Sequence, residues 1–264
     1  MQHLLHSLIN KFQHFFLARS GGHGIHSPIA YDLCRWLDQT RKRANEECQQ
    51  LRLLRSELKR DTRILKDAGF GSGSRFFKKP YRRLNQLVSV GISTHFKARI
   101  LYQLIQYFKP AEVLELGTSI GVTTLYLATA QFPNKVYTVE GNKDYLDVAC
   151  SLFNRFREGA CVVPTLNAFD AALITFNTMP EWVFVDGSHD YKNTLSIFNA
   201  IQNCKNTHQV IVFDDIYWSK EMTRAWNYIV CHSKNALILD AFHFGIVIQH
   251  PNLKCCYSYK IKLR

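Results

Sequence analysis

The sequence predicts an α/β fold in three layers, with a mostly parallel sheet and an antiparallel C-terminal edge. From Glu112 onward, short runs rich in β-branched residues alternate with helix-length segments, a pattern typical of strand–helix–strand units around a parallel sheet. The residues before that point show helical periodicity instead. The sequence thus predicts a helical, basic N-terminal region, residues 1–89, and an α/β domain, residues 90–264.

Helical periodicity is predicted in three segments of the N-terminal region and in one at the start of the α/β domain. Apolar residues recur at helical spacing in 4–17, and Ser27-Pro28 has the form of a helix cap followed by proline in the first turn. Residues 44–67 are predicted as one long polar helix, and helical periodicity returns at 94–108. We expect the leucines and phenylalanines of 4–17 to pack against the rest of the protein. A membrane surface or a partner is the alternative.

Eight runs are predicted as strands of the α/β domain. Those followed by helix-length segments are EVLEL, KVYTVE, ACVVP, EWVFVD and QVIVFD. Those without a helix between them, which we expect to pair antiparallel at one edge, are ALILDAF, HFGIVIQ and YSYKIKL.

Composition excludes several classes of protein. The chain has 264 residues, is 47% hydrophobic and carries a formal net charge of +12, which is too apolar for a disordered chain and too long for a disulfide-stapled miniprotein. Residues 1–112 hold 20 Lys and Arg against 8 Asp and Glu, whereas residues 113–264 hold 13 of each. The excess positive charge therefore belongs to the N-terminal part, which excludes a uniformly basic, histone-like protein.

The eight cysteines favour a reducing compartment. No two of them form a C-x-x-C pair, and no histidine cluster accompanies them at zinc-ligand spacing. The N-terminal residues lack the pattern of a secretory signal, and no apolar run is long enough to span a bilayer. We therefore expect a cytoplasmic protein without a transmembrane segment.

The segment VLELGTSIGVTTLYLA, residues 113–128, predicts a ligand-binding turn between a strand and a helix. Glycines at 117 and 121 allow the backbone to approach a ligand closely, and the following helix N-terminus offers free N–H groups. The next predicted strand ends in Glu140, whose carboxylate can accept hydrogen bonds from both hydroxyls of a ribose. The turn is neither G-x-G-x-x-G nor a P-loop, which argues against a dinucleotide and excludes a P-loop nucleotide site.

Four motifs together resemble a known family. In order and spacing, ELGTSIG, TVEGN, FVDGSHDY and VFDDIYW are similar to the class I S-adenosylmethionine-dependent methyltransferases, in particular the catechol and caffeoyl-CoA O-methyltransferase-like subgroup. The resemblance covers roughly residues 95–250 and implies a Rossmann-like methyltransferase fold with a seven-stranded sheet. It implies a cofactor site made of Glu115, Gly117, Thr118, Ser119, Gly121, Glu140, Asn167, Phe169 and Asp186. Within that site, Glu115 and the glycines would line the methionine end, Glu140 the ribose, and Asn167 and Phe169 the adenine.

Three carboxylates follow predicted strands and suggest a cation site. Asp186 ends one strand, and Asp214 and Asp215 end the next, so we expect them at the same edge of the sheet. Converging carboxylates repel one another unless a cation lies between them. The resemblance implies Mg²⁺ or another divalent cation held by these three residues. The alternative is that Asp186 contacts only the cofactor and that Asp214 or Asp215 caps the following helix.

His189 occupies the position at which the resembled enzymes carry a lysine that deprotonates the acceptor hydroxyl. A histidine titrates near neutrality and can act as a base there, so the catalytic candidates are His189 and Asp186. The alternative is that His189 is hydrogen-bonded to Asp190 or caps the helix that follows, instead of acting as the base. We expect Asp190 and Tyr191 to begin a helix.

The resemblance implies methyl transfer to a hydroxyl oxygen of a small molecule. The sequence lacks a [DNS]-P-P-[YFW] tetrapeptide and a Pro-Cys pair, which argues against amino and cytosine carbon-5 acceptors. The GSGS segment at 69–79 is predicted to act as a lid over the acceptor. An RNA methyltransferase that uses the basic region and a catalytically silent cofactor-binding scaffold stay open as alternatives, as does a homodimer.

Overall fold

The computed structural model describes residues 2–21, 23–66, 81–187, 189–204, 209–250 and 252–263. The helices within these residues are α1 Gln2–Leu17, α2 Pro28–Glu47, α3 Gln49–Leu58, α4 Leu84–Val90, α5 His95–Phe108, α6 Val122–Thr129, α7 Lys143–Phe153, α8 Phe169–Leu173, α9 Tyr191–Asn203 and α10 Lys220–His232. The strands are β1 Ile64–Lys66, β2 Tyr81–Arg83, β3 Glu112–Leu116, β4 Lys135–Glu140, β5 Val162–Leu166, β6 Trp182–Val185, β7 Gln209–Asp214, β8 Ala236–Asp240, β9 Phe244–Gln249 and β10 Tyr257–Lys260. A 3-10 helix covers Arg157–Cys161.

The chain divides into two compact units. The first unit consists of residues 1–39 and 173–264, and the second of residues 40–172. The predicted boundary between residues 89 and 90 falls inside the second unit, so the proposed domain division stays a prediction. The lid segment at 69–79 lies outside the described residues.

The second unit contains a parallel set of strands. β4 pairs in parallel with β3 on one side and with β5 on the other, and Glu115 lies opposite Thr138 in that register. β1 and β2 form a separate antiparallel pair. The carboxyl ends of β3, β4 and β5 therefore lie at the same edge, where ligands bind in α/β folds.

The first unit combines parallel and antiparallel pairing. β6 and β7 are parallel, whereas β9 is antiparallel to both β7 and β8. β10 pairs in parallel with β8, so the antiparallel pairing predicted for YSYKIKL is wrong. Within the described residues, the first unit thus contains the five strands β6–β10 and the second contains the parallel strands β3–β5. The mixed α/β fold with a mostly parallel sheet is confirmed.

Three strands of the first unit, β6, β7 and β8, are buried along their whole length. Every residue of β6, β7 and β8 is buried, as expected for strands covered on both faces. Their largest side chains pack with those of α9, α10 and β9, and the fully buried aromatic residues of this core are Trp182, Phe184, Phe213, Trp226 and Phe244.

The N-terminal predictions are confirmed in part. α1, α2 and α5 form where the sequence predicts them, and the Ser27 hydroxyl accepts a hydrogen bond from the backbone N–H of Ala30 at the start of α2. The single helix predicted over 44–67 is wrong, because it divides into the end of α2, α3 and β1. The predicted packing of the apolar face of α1 is also wrong, since Leu8, Phe12 and Phe16 are exposed.

Two further observations concern the whole described chain. No helix within the described residues is long and apolar enough to cross a membrane. All eight cysteines lie in the described residues, and none of them forms a disulfide.

Candidate functional site

The turn between β3 and α6 is fixed against the end of β4. The backbone N–H groups of Gly117 and Thr118 both donate to the Val139 carbonyl, at 3.0 and 3.2 Å. Positive φ angles recur at Gly117 (111°), Ser119 (50°) and Gly121 (80°). The turn is therefore a tightly wound segment whose conformation favours glycine at two of its positions.

Gly121 is needed for packing as well as for backbone conformation. It is the N-cap residue of α6, with φ 80°. A Cβ atom at this position would lie 2.7 Å from Phe153 Cε1 and 2.8 Å from Ala149 Cβ. The close approach of this turn to α7 therefore explains the second glycine without any ligand.

Glu140, the last residue of β4, is held by two backbone N–H groups. Ser119 N donates to Oε2 at 2.7 Å, and Asn142 N donates to Oε1 at 2.9 Å. The side chain is nearly buried, and its orientation is set before any ligand binds.

Asn142 is a site residue that the sequence reasoning missed. Its side-chain oxygen accepts hydrogen bonds from Asp144 N and Tyr145 N at the start of α7, and its Nδ2 donates to the Lys66 carbonyl at 2.9 Å. Lys66 N in turn donates to Asp144 Oδ2. An Asn two residues after a strand-terminal acid is an N-cap signal that could have identified it.

Glu115 is completely buried in β3 and only partly hydrogen-bonded. Its Oε2 accepts hydrogen bonds from the hydroxyls of Thr124, at 2.5 Å, and Thr138, at 2.6 Å. Its Oε1 has no hydrogen-bond partner among the described residues. The pKa of Glu115 is raised from 4.5 to about 7, because burial and, to a smaller extent, nearby Glu140 raise it more than the two threonine hydroxyls lower it.

Thr118 extends this buried network. Its Oγ1 lies 2.6 Å from Thr138 Oγ1. Because the Thr138 hydroxyl donates to Glu115, Thr118 is the donor to Thr138. The sequence reasoning named Thr118 but missed Thr124, which α6 brings to Glu115, and Thr138, which lies opposite Glu115 in the register of β3 and β4.

Asn167 and Phe169 follow β5 in the second unit. Asn167 N donates to the Glu140 carbonyl at 3.0 Å, which places Asn167 beside the end of β4. Its side-chain oxygen accepts from Ala168 N. Phe169 begins α8 and is half-buried. The second unit thus brings Asn167 close to Glu140, and the adenine contact of Asn167 and Phe169 stays a prediction.

In the first unit, Asp186 and His189 lie next to each other after β6. His189 Nε2 is 3.9 Å from Asp186 Oδ1, and both side chains are partly exposed. The Trp218 ring centroid lies 6.2 Å from that of His189. Asp190 caps α9 by accepting from Asn193 N, which confirms the predicted helix start and leaves the His189 ring outside the cap.

The three predicted metal ligands do not form a cluster. Asp214 is the buried last residue of β7, and Asp215 has φ 51°, with its N–H bonded to the His243 carbonyl. Within the described residues, no three His, Cys, Asp or Glu side chains come together so that they could hold a metal ion. The helix-cap alternative is wrong too, because Ser219 caps α10.

A second buried carboxyl group, at Asp240, was missed entirely. Asp240 Oδ2 accepts from Tyr217 Oη and Lys260 Nζ, both at 2.5 Å, and His14 Nε2 lies 3.3 Å from Oδ1. Burial raises its pKa, but the hydrogen bonds from His14, Lys260 and Tyr217 lower the value to about 2. Its position at the end of β8, like that of Glu140 at the end of β4, was the available signal.

Comparison with known proteins assigns the central part of the chain. Residues 114–216 match a family model described as a methyltransferase domain. They include the Gly-rich turn, Glu140, Asp186 and His189, so this segment is similar to a methyltransferase domain. A search of curated proteins gave no match.

Solved structures share the fold at low sequence identity. The O-methyltransferase from Bacillus cereus in complex with SAH is 18% identical with a TM-score of 0.52, covering 61% of this chain and 83% of that one. The O-methyltransferase TomG from Streptomyces achromogenes in complex with SAM is 16% identical with a TM-score of 0.52, covering 60% and 82%. A provisionally assigned caffeoyl-CoA O-methyltransferase from Staphylococcus aureus is 15% identical with a TM-score of 0.54, covering 63% and 90%. The chain thus has the Rossmann-like fold of the S-adenosylmethionine-dependent O-methyltransferases.

Proposed function

We propose that the protein transfers a methyl group from S-adenosylmethionine to a hydroxyl oxygen of a small molecule. The observation that carries the proposal is the Glu140 carboxylate, which two backbone N–H groups orient at the carboxyl end of a parallel strand. A carboxylate at this place suits the two neighbouring hydroxyls of a ribose. The segment around it matches a methyltransferase domain, and eight free cysteines fit a cytoplasmic enzyme.

The other residues of the second unit fit the cofactor as well. A tightly wound turn with two glycines precedes the N-terminus of α6. Glu115 has a buried oxygen without a partner in the described residues, which suits a positively charged group such as the cofactor's ammonium. Glu115 and the turn would hold the methionine end, Glu140 the ribose, and Asn167 and Phe169 the adenine.

His189 is the proposed base. Bound S-adenosylmethionine supplies an electrophilic methyl group on a sulfonium. His189 takes the proton of the acceptor hydroxyl as the oxygen–carbon bond forms and the carbon–sulfur bond breaks. Asp186, 3.9 Å away, stabilises the resulting imidazolium. Trp218 beside His189 offers a ring face on which an aromatic acceptor can stack.

Asp186, Asp214 and Asp215 are the residues predicted to bind a divalent cation. Within the described residues, they are not brought together in a group that could hold one. We therefore derive no step through a cation. A methyl transfer that is lost with a chelator and restored by Mg²⁺, and that Asp214→Asn abolishes, would reverse this.

The experiment is a methyl-transfer assay with labelled S-adenosylmethionine and a panel of hydroxylated aromatic acceptors. His189→Ala is expected to lower the turnover about a hundredfold or more while the affinity for the methyl donor stays unchanged. His232→Ala, at the exposed end of α10, is the matched control and should keep full activity.

Two outcomes would contradict the proposal. Cofactor binding without transfer to any acceptor would support a silent scaffold. Transfer to RNA, with binding that weakens steeply as salt increases, would support a nucleic-acid methyltransferase instead.

A further inference from the structure

Helix α1 is oriented with a polar face toward the protein. His6, Asn10 and His14, spaced four residues apart, lie on one side of the helix. His6 Nε2 lies 2.9 Å from Thr223 Oγ1, and His14 Nε2 lies 3.0 Å from the Asp240 carbonyl. His14 is buried. These specific polar contacts, within one compact unit, fix the rotation of the helix about its own axis.

The opposite side of α1 is apolar and exposed. We call it the α1 apolar face, and its members are Leu8, Ile9, Phe12, Phe15 and Phe16. Phe12 and Phe16 are 67% and 68% exposed. At about 150–250 Å² per phenylalanine, the three phenylalanines alone expose on the order of 400 Å². The largest apolar patch of a typical monomer is about 300–600 Å² and often functional.

Cations border this face, and acidic side chains are missing from the segments that form it. Lys262 Nζ lies 4.0 Å above the Phe15 ring, and Lys11 is exposed on α1. Arg19, which is exposed, is joined to the C-terminal segment by backbone hydrogen bonds to Lys260 and Lys262. Neither residues 1–31 nor residues 241–264 contain an Asp or Glu.

From these observations we propose that α1 docks the protein on an anionic membrane surface. The helix lies in the plane of the interface, with its apolar face among the acyl chains and its bordering cations at the lipid phosphates. A second copy of the chain is disfavoured as the occupant. Face-to-face pairing would bring Lys11, Arg19 and Lys262 of both copies together, with no carboxylate in either segment to neutralise them.

The proposal does not depend on methyl transfer and uses a separate readout. The full-length protein is sedimented with vesicles of phosphatidylcholine, with and without phosphatidylserine. We expect binding to the phosphatidylserine vesicles that decreases as salt increases. The double variant Phe12→Ser, Phe16→Ser should bind at least about tenfold more weakly, because the inserted apolar area is lost.

Exposed apolar residues elsewhere provide the matched control. Leu53 and Ile174 are 62% and 84% exposed, and neither belongs to α1. The variant Leu53→Ser, Ile174→Ser should bind vesicles like the unmodified protein. Because all four substituted side chains are exposed, both variants should fold, and their unfolding midpoints verify this.

A second pair of variants tests the cations. Lys11→Gln and Lys262→Gln should each weaken binding to phosphatidylserine vesicles about fivefold, whereas the exposed Lys59→Gln and Lys234→Gln should not. Three results would overturn the proposal. They are no binding at low salt, equal binding to neutral vesicles, and a concentration-dependent dimer that the Phe12→Ser, Phe16→Ser variant abolishes.

Discussion

Glu115 in the second unit and Asp240 in the first are both buried carboxyl groups at the carboxyl-terminal part of a strand, yet their surroundings are opposite. Asp240 has two cationic or hydroxyl donors on one oxygen and a histidine by the other, and its pKa is lowered to about 2. Glu115 has two threonine hydroxyls on one oxygen and none of the described residues on the other, and its pKa is raised to about 7.

The difference separates a structural carboxyl group from one suited to a ligand. A buried charge is stable only when it is paired and hydrogen-bonded. Asp240 meets this condition, because His14 of α1, Lys260 of β10 and Tyr217 in the segment after β7 all contact its carboxylate. We propose that Glu115 meets it when a cationic group of the methyl donor binds beside it. The comparison therefore predicts that the two residues affect stability in opposite directions as pH changes.

The largest expected effect follows from breaking the Asp240 cluster. Asp240→Asn removes the charge that pairs with Lys260, so the free energy of unfolding should fall by about 3 kcal/mol. Denaturant unfolding at neutral pH measures this. Asp147→Asn is the control, because its ion pair with Lys143 is exposed and should cost less than about 1 kcal/mol. Equal losses in the two variants would remove the structural role of Asp240.

The pH dependence of stability at Glu115 should be nearly as large. Its folded pKa of about 7 exceeds the ordinary 4.5, so the folded state keeps a proton that the unfolded state loses. The contribution is present below pH 4.5 and is lost as pH rises to about 7, by about 3 kcal/mol in total. Urea unfolding between pH 4 and 8 should show this decline in the unmodified protein and lack it in Glu115→Gln. Identical slopes would show that Glu115 is not protonated when buried.

Asp240 should show the opposite slope at acid pH. Because its folded pKa of about 2 lies below the ordinary 3.8, its contribution is present above pH 3.8 and is lost as pH falls through 2. The difference in unfolding free energy between the unmodified protein and Asp240→Asn should therefore shrink by about 2 kcal/mol over that range. A difference that stays constant would contradict the lowered pKa.

The smallest effect concerns one donor of the cluster. Tyr217→Phe removes the hydroxyl that donates to Asp240 but leaves His14 and Lys260 in place. The expected loss is about 1 kcal/mol, measured by the same unfolding titration. Tyr228→Phe, on α10, serves as the control tyrosine. A loss as large as that of Asp240→Asn would mean that the hydroxyl, and not the ion pair, stabilises the cluster.

The sequence predicted the strands of the α/β domain better than their pairing. EVLEL, KVYTVE and QVIVFD coincide with β3, β4 and β7, since buried runs between helices have a clear pattern. The direction of β10 was not predictable, because alternation along a strand is the same in parallel and antiparallel pairs. For α1, periodicity shows two faces but not which one turns inward. The contacts of His6 and His14 with distant residues decide that.

The site residues show the same difference between local sequence patterns, which can be read from the sequence, and contacts made by the fold, which cannot. Glu140 was recognised because a strand-terminal acid after a Gly-rich turn is a local pattern. The threonines around Glu115 and the partners of Asp240 come from distant parts of the chain, so only the fold reveals them. The predicted trio of aspartates stays a prediction, since no cluster of three possible ligands forms within the described residues and Asp215 lies in a turn with positive φ.

The central claim is that the second unit binds S-adenosylmethionine through Glu140. Isothermal titration calorimetry of the purified protein with S-adenosylmethionine tests it directly. The account predicts saturable binding by the unmodified protein and by Glu46→Ala, an exposed glutamate on α2, and loss of binding in Glu140→Ala. Absence of binding in a folded sample, or equal affinity in Glu140→Ala, would contradict it.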